Sequence, residues 1–109
     1  MRSSVFEALQ KLDGQPGALF LKIMEYGSMS VEIYRPSKTD LQTPHLQDEL
    51  YVVISGSGEF FNGGERASFN PGDMLFVPAG VEHRFENFTE DFVTWVIFYG
   101  PEGGEKEKA

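Results

Sequence analysis

The chain has 109 residues, 40% of them hydrophobic and 14% aromatic with ten Phe, which is enough for one domain with one core and is not a disordered composition. Cysteine is absent, excluding disulfides, thiolate nucleophiles and sulfur-ligated clusters, so any metal must be held by nitrogen and oxygen. A net charge of −8, with 17 acidic residues against 9 dispersed basic ones, argues against a nucleic-acid partner.

The N-terminus carries no secretion-type apolar run and no segment reaches the length of a bilayer span, so the expected compartment is the cytoplasm, with no membrane partner. Val5, Phe6, Leu9 and Leu12 follow helical spacing, Ser4 reads as an N-cap with Glu7 three residues on, and Gly14 with Pro16 closes the segment. Residues 1–17 are therefore expected to form a short helix and linker. Residues 18–100 read as short β-rich runs, ALFLKIMEY, SVEIYRP, ELYVVIS, GEFF, RASF, DMLFVP, HRFENF and FVTWVIFY, about eight strands separated by turn signals such as Asn62-Gly63-Gly64 and Pro71-Gly72. This is the pattern of an all-β sandwich or barrel. Two of the runs, ELYVVIS and FVTWVIFY, are apolar at both parities, so both faces should be covered, either by a second subunit in a homodimer or by the N-terminal helix. Residues 101–109, PEGGEKEKA, lack apolar periodicity and are expected to be a flexible acidic tail.

The two histidines are the chemically informative residues. His83 opens a returning strand after a Pro78-Ala79-Gly80 reversal, and the period-2 rule puts His83, Phe85 and Asn87 on one face. In the run Thr43-Pro44-His45-Leu46-Gln47-Asp48-Glu49, an extended chain would put Thr43, His45, Gln47 and Glu49 on one side and leave Asp48 facing solvent. An unsatisfied buried polar group costs about 1–3 kcal/mol and an unpaired charge more. A shared cation would satisfy these groups together. Alternatively, His45 and Glu49 form an ion pair lining a pocket, and His83 is a hydrogen-bonded structural histidine. Phe60, Phe76, Phe85 and Trp95 read as core aromatics, and Asn87 as a turn residue at a strand end.

Gly72, five residues, Pro78, one residue, Gly80, two residues, His83, three residues and Asn87 reproduce every fixed position of the second motif of the cupin superfamily, which the chain resembles. His45, Glu49 and Gly56 have the separations of the later part of the first cupin motif, while Thr43 stands where that motif has its first histidine. The resemblance implies a double-stranded β-helix, or jelly-roll barrel, with a metal at His45, Glu49 and His83. Such a two-histidine, one-carboxylate set is that of many non-haem Fe(II) sites, and Mn, Ni, Co or Zn also suit it. Gln47 is expected as a fourth ligand or as a partner of bound water, and Thr43, Tyr51, Met74, Phe76 and Phe85 as pocket wall. The implied function is a mononuclear metalloenzyme of dioxygenase type acting on a small organic molecule. The alternatives are a non-catalytic small-ligand or sugar-binding sensor and a metal-dependent isomerase or lyase.

Overall fold

The computed structural model describes residues 1–108. Helix α1 spans Val5–Asp13 and is followed by eight strands among the described residues: β1 (Phe20–Tyr26), β2 (Met29–Tyr34), β3 (Asp48–Ser55), β4 (Gly58–Asn62), β5 (Glu65–Phe69), β6 (Met74–Val77), β7 (His83–Glu86) and β8 (Val93–Tyr99). The helix begins where the sequence pattern puts it. Ser4 Oγ accepts from Glu7 N and donates to Glu7 Oε1, both at 3.0 Å, which satisfies a backbone donor that a helix start leaves free. No helix among the described residues is long and apolar enough to cross a membrane.

The strands form two sheets, one ordered β1-β2-β8-β3-β6 and the other β5-β4-β7, with every pairing antiparallel. The chain alternates between them, with β3 in the large sheet, β4 and β5 in the small one, β6 in the large, β7 in the small and β8 in the large. This is the jelly-roll arrangement, built as two facing sheets whose ladders do not close into one ring. The crossing after β3 depends on Gly56. Its φ is +82° and a Cβ there would lie 2.5 Å from Phe92 Cα, so both the backbone conformation and the close approach require glycine.

Period-2 alternation sends Glu49, Tyr51 and Val53 of β3 inward, with His83 and Phe85 of β7 opposite them. Between the sheets lies an aromatic core in which Phe85 stands 4.6 Å from Phe92 and 4.7 Å from Phe60, ring centroid to centroid, with Phe69, Val77 and Val96 packed around them. On the outer face of the large sheet, Ala8 and Leu12 of α1 pack on Ile33 and Val93, flanked by Ile54 and Trp95. The helix thus supplies one cover for the strands that are apolar at both parities.

Strand β7 stops at Glu86, one residue before the expected end of the alternating face. Asn87 adopts φ +49°, in the left-handed region that asparagine tolerates better than most residues. Residues 101–105, within the segment read as a tail, fold back on the start of β3 and the loop that enters it: Gly103 N donates to Leu46 O at 2.7 Å and Glu105 N to Asp48 Oδ2 at 2.8 Å.

Candidate metal centre

Three polar side chains from three separate segments converge at one end of the inter-sheet core. Glu49 comes from the large sheet, as the second residue of β3, and His83 from the small sheet, as the first residue of β7. His45 lies on the loop entering β3, and Gly80 N donates to its carbonyl at 2.8 Å. The Pro78-Ala79-Gly80 reversal that launches His83 therefore also fixes the backbone of His45. The glycine adopts φ +78° there.

His83 Nε2 is 2.7 Å and His45 Nε2 3.9 Å from Glu49 Oε1, and one donor atom from each of the three residues lies within 4.8 Å of the others. Two ligands adjacent on one ion, each about 2.1 Å from it, are separated by roughly 3 Å. The cluster is within a small adjustment of that spacing. Glu49 is 0% and His83 2% exposed, whereas His45 is half-buried and faces the opening.

The chemistry of the donors indicates what the cluster suits. His83 Nδ1 is 2.8 Å from Val81 O, and a carbonyl can only accept, so Nδ1 carries a proton and Nε2 is the ring nitrogen turned to Glu49. The 2.7 Å approach is not aligned as a hydrogen bond, and Glu49 Oε1, Glu49 Oε2 and His83 Nε2 are all buried without a hydrogen-bond partner. Two lone-pair atoms at that separation repel unless a proton or a cation lies between them. A divalent ion matches all three atoms, so the residues fit a metal.

The same environment moves both histidines. Burial lowers the pKa of His45, and the neighbouring Glu49 only partly offsets it. Burial also acts to lower His83, but Glu49 and the Val81 carbonyl together outweigh it and the net shift is upward.

A buried network that the sequence patterns did not reveal stands behind the loop of His45. Asp40 accepts from Tyr34 Oη (2.6 Å), Phe85 N (2.8 Å), Gln42 N (3.2 Å) and Gln42 Nε2 (2.9 Å). Gln42 Oε1 in turn accepts from Tyr51 Oη at 2.9 Å and lies 3.2 Å from His45 Nε2. Asp40 thereby ties the loop to β2 and β7, and Gln42 links His45 to Tyr51. The only signal available in the sequence was the polar run from Ser37 to Gln47. A loop has no period from which to assign inward positions.

Of the expected wall residues, Tyr51 is buried with its ring 6.2 Å from that of His83. Phe85 is buried two residues along the same face, and Thr43 lines the opening beside His45. Met74 and Phe76 do not belong to the wall: they are 65% and 48% exposed, because the inward parity of β6 falls on Leu75 and Val77. Phe76 is accordingly not core either. Gln47 is engaged away from the His45, Glu49 and His83 cluster. Its Nε2 donates to Ser28 O at 2.8 Å and Gly100 O at 2.9 Å, since residues 43–47 are not strand and alternation does not carry through them. Asp48 is not solvent-facing; it is buried and accepts from Ala79 N at 2.9 Å as well as from Glu105 N.

Residues 30–99 match the cupin domain, and the chain belongs to the cupin domain family. An uncharacterized protein of Streptomyces coelicolor is 39% identical over 85 residues, 76% of this chain and 81% of that protein. Acireductone dioxygenase of Rhodopseudomonas palustris is 38% identical over 61 residues, 47% of this chain but only 37% of the enzyme. Among solved structures, a cupin-2 domain containing protein of Shewanella frigidimarina superposes with a TM-score of 0.65 at 18% identity, covering 87% of this chain and 92% of that one; at that identity the likeness concerns the fold.

Proposed function

We propose that this cupin holds one divalent transition metal at His45, Glu49 and His83 and uses it in dioxygenase-type chemistry on a small organic molecule. The observation that carries the reading is that Glu49 Oε1, Glu49 Oε2 and His83 Nε2 are buried without an aligned hydrogen bond. Two imidazoles with one carboxylate favour iron, and Mn, Ni, Co and Zn can use the same donors. When bound, the metal supplies open coordination positions where an organic substrate and O₂ meet.

The chain's own residues set the conditions for that chemistry. Glu49 contributes one negative charge in a dry setting, where it binds a cation far more strongly than in water. Val81 O holds the His83 proton on Nδ1, which keeps Nε2 available and orients the ring. Tyr51 and Phe60 stand on the inner side, with ring centroids 6.2 and 6.3 Å from that of His83, while His45, the partly exposed member of the trio, faces the opening. The partial likeness to acireductone dioxygenases supports the reaction class. It covers too little of those enzymes to carry over their substrate.

Elemental analysis of protein purified without added metal tests the site. Close to one equivalent of a first-row metal is expected, falling below about a tenth of an equivalent in His83→Ala; wild-type protein with no more metal than the variant would sink the reading. Oxygen uptake by the Fe(II)-loaded protein, across small thiols, diketones and phenolic acids, tests the reaction class. Ligand-induced stabilisation without oxygen uptake would favour the sensor instead.

A further inference from the structure

Beside the metal centre lies a cleft of about 600 Å³. Leu19, Phe20, Leu41 and Phe98 give it apolar walls, and His45 and Glu32 stand in it as its titratable groups beside the more deeply placed Tyr34. A second, adjoining cleft of about 560 Å³ shares Glu32, His45 and Phe98. Neither is lined by a lysine or an arginine among the described residues. Glu32 and His45 therefore front one composite opening beside the centre.

Glu32 has no role in the metal cluster. It sits on β2 opposite Val96 of β8 and Lys22 of β1, on the same inward parity as the buried Tyr34. Its carboxylate has no hydrogen-bond or ion-pair partner among the described residues, because Lys22 turns its ammonium to Glu25 at 3.2 Å. Burial raises its pKa; Lys22 opposes that shift and Glu49 adds to it. A half-buried carboxylate in this setting is stabilised by whatever brings a positive charge or a strong donor to it. An anionic ligand in the composite opening would meet the carboxylates of Glu32 and Glu102, with no lysine or arginine lining either cleft among the described residues.

We infer that the cleft takes a small organic amine with an apolar body, its ammonium paired with Glu32 and its hydrocarbon part laid against Phe20, Leu41 and Phe98. Glu32 is then a specificity-determining residue, selecting cationic over anionic ligands by charge complementarity. The inference rests on the metal-centre reading only for the direction in which the ligand points. The ammonium pairing itself involves no metal ligand.

The experiment is calorimetric titration of the full chain with three probes of one shape, 2-phenylethylamine, 2-phenylethanol and 3-phenylpropanoate, with and without a stoichiometric divalent metal. The amine is expected to bind about tenfold more tightly than the carboxylate in both preparations, with Glu32→Gln removing about tenfold of its affinity and leaving the alcohol unchanged. Glu32→Lys should invert the order of amine and carboxylate. Equal affinities for amine and carboxylate, amine binding insensitive to Glu32→Gln, or no binding of the amine to wild-type protein at about 10 mM overturns the inference. So does a dimer that buries Leu41 and Phe20, which would assign the cleft to a second copy of the chain. The comparison of probes on wild-type protein stands even if the variants fold poorly. Failure of the metal reading would show separately, as absent metal with the amine preference intact.

Discussion

The two ends of the space between the sheets share strand β7 and solve opposite problems. At one end Phe69, Phe85 and Phe92 fill the volume with interlocking rings and contribute no polar side-chain atom that needs a partner. At the other, two residues along from Tyr51 on β3 and from Phe85 on β7, Glu49 and His83 bury three polar atoms that face each other at 2.7 Å without an aligned hydrogen bond. The aromatic end gains stability from burial, whereas the polar end gives some up. A chain that keeps a destabilised end on the same strand as a well-packed one has its binding function concentrated there.

That contrast can be broken in three places, in decreasing size of effect. Phe92→Ala, a fully buried ring at the aromatic end, should cost about 3–5 kcal/mol in denaturant unfolding whether or not metal is present; a loss below about 1 kcal/mol would show that the rings do not carry the core. Asp40→Asn should cost about 2 kcal/mol, because an amide nitrogen would face donors that the carboxylate now accepts from. It should also loosen the His45 loop, read as faster amide exchange at residues 41–46, and unchanged exchange would remove Asp40 from its tethering role. Glu49→Gln should cost metal-free protein least, about 1 kcal/mol as His83 loses its buried carboxylate partner, while metal affinity falls. Metal affinity equal to that of the wild type would remove Glu49 from the site.

Legibility followed the same division. The eight strands and the capped helix could be read because alternation, Ser4, and the glycine and proline turns are local signals. His45, Glu49 and His83 could be read because the turn-strand-turn spacing around each is fixed by backbone geometry and matches a motif. The errors cluster where no strand geometry existed to extrapolate. Gln47 was placed by alternation in a loop that does not alternate, and Asp48 was sent to solvent although two backbone N–H groups hold it inside. Met74 and Phe76 lie within the motif, yet the parity of β6 turns them outward. Asp40, Gln42 and Glu32 were missed because each depends on what lies across from it.

The sequence by itself determined the class of fold, the turns, and which two imidazoles and one carboxylate were available, since all three follow from residue type and short-range spacing. Only the tertiary structure decided that β3 and β7, from different sheets, bring Glu49 and His83 to 2.7 Å. It likewise decided that Asp40 is a buried hub and that Glu32 faces an apolar cleft without a partner. Pairing and burial are properties of atoms distant in the chain, and no local pattern encodes what water is excluded from once the sheets close on one another.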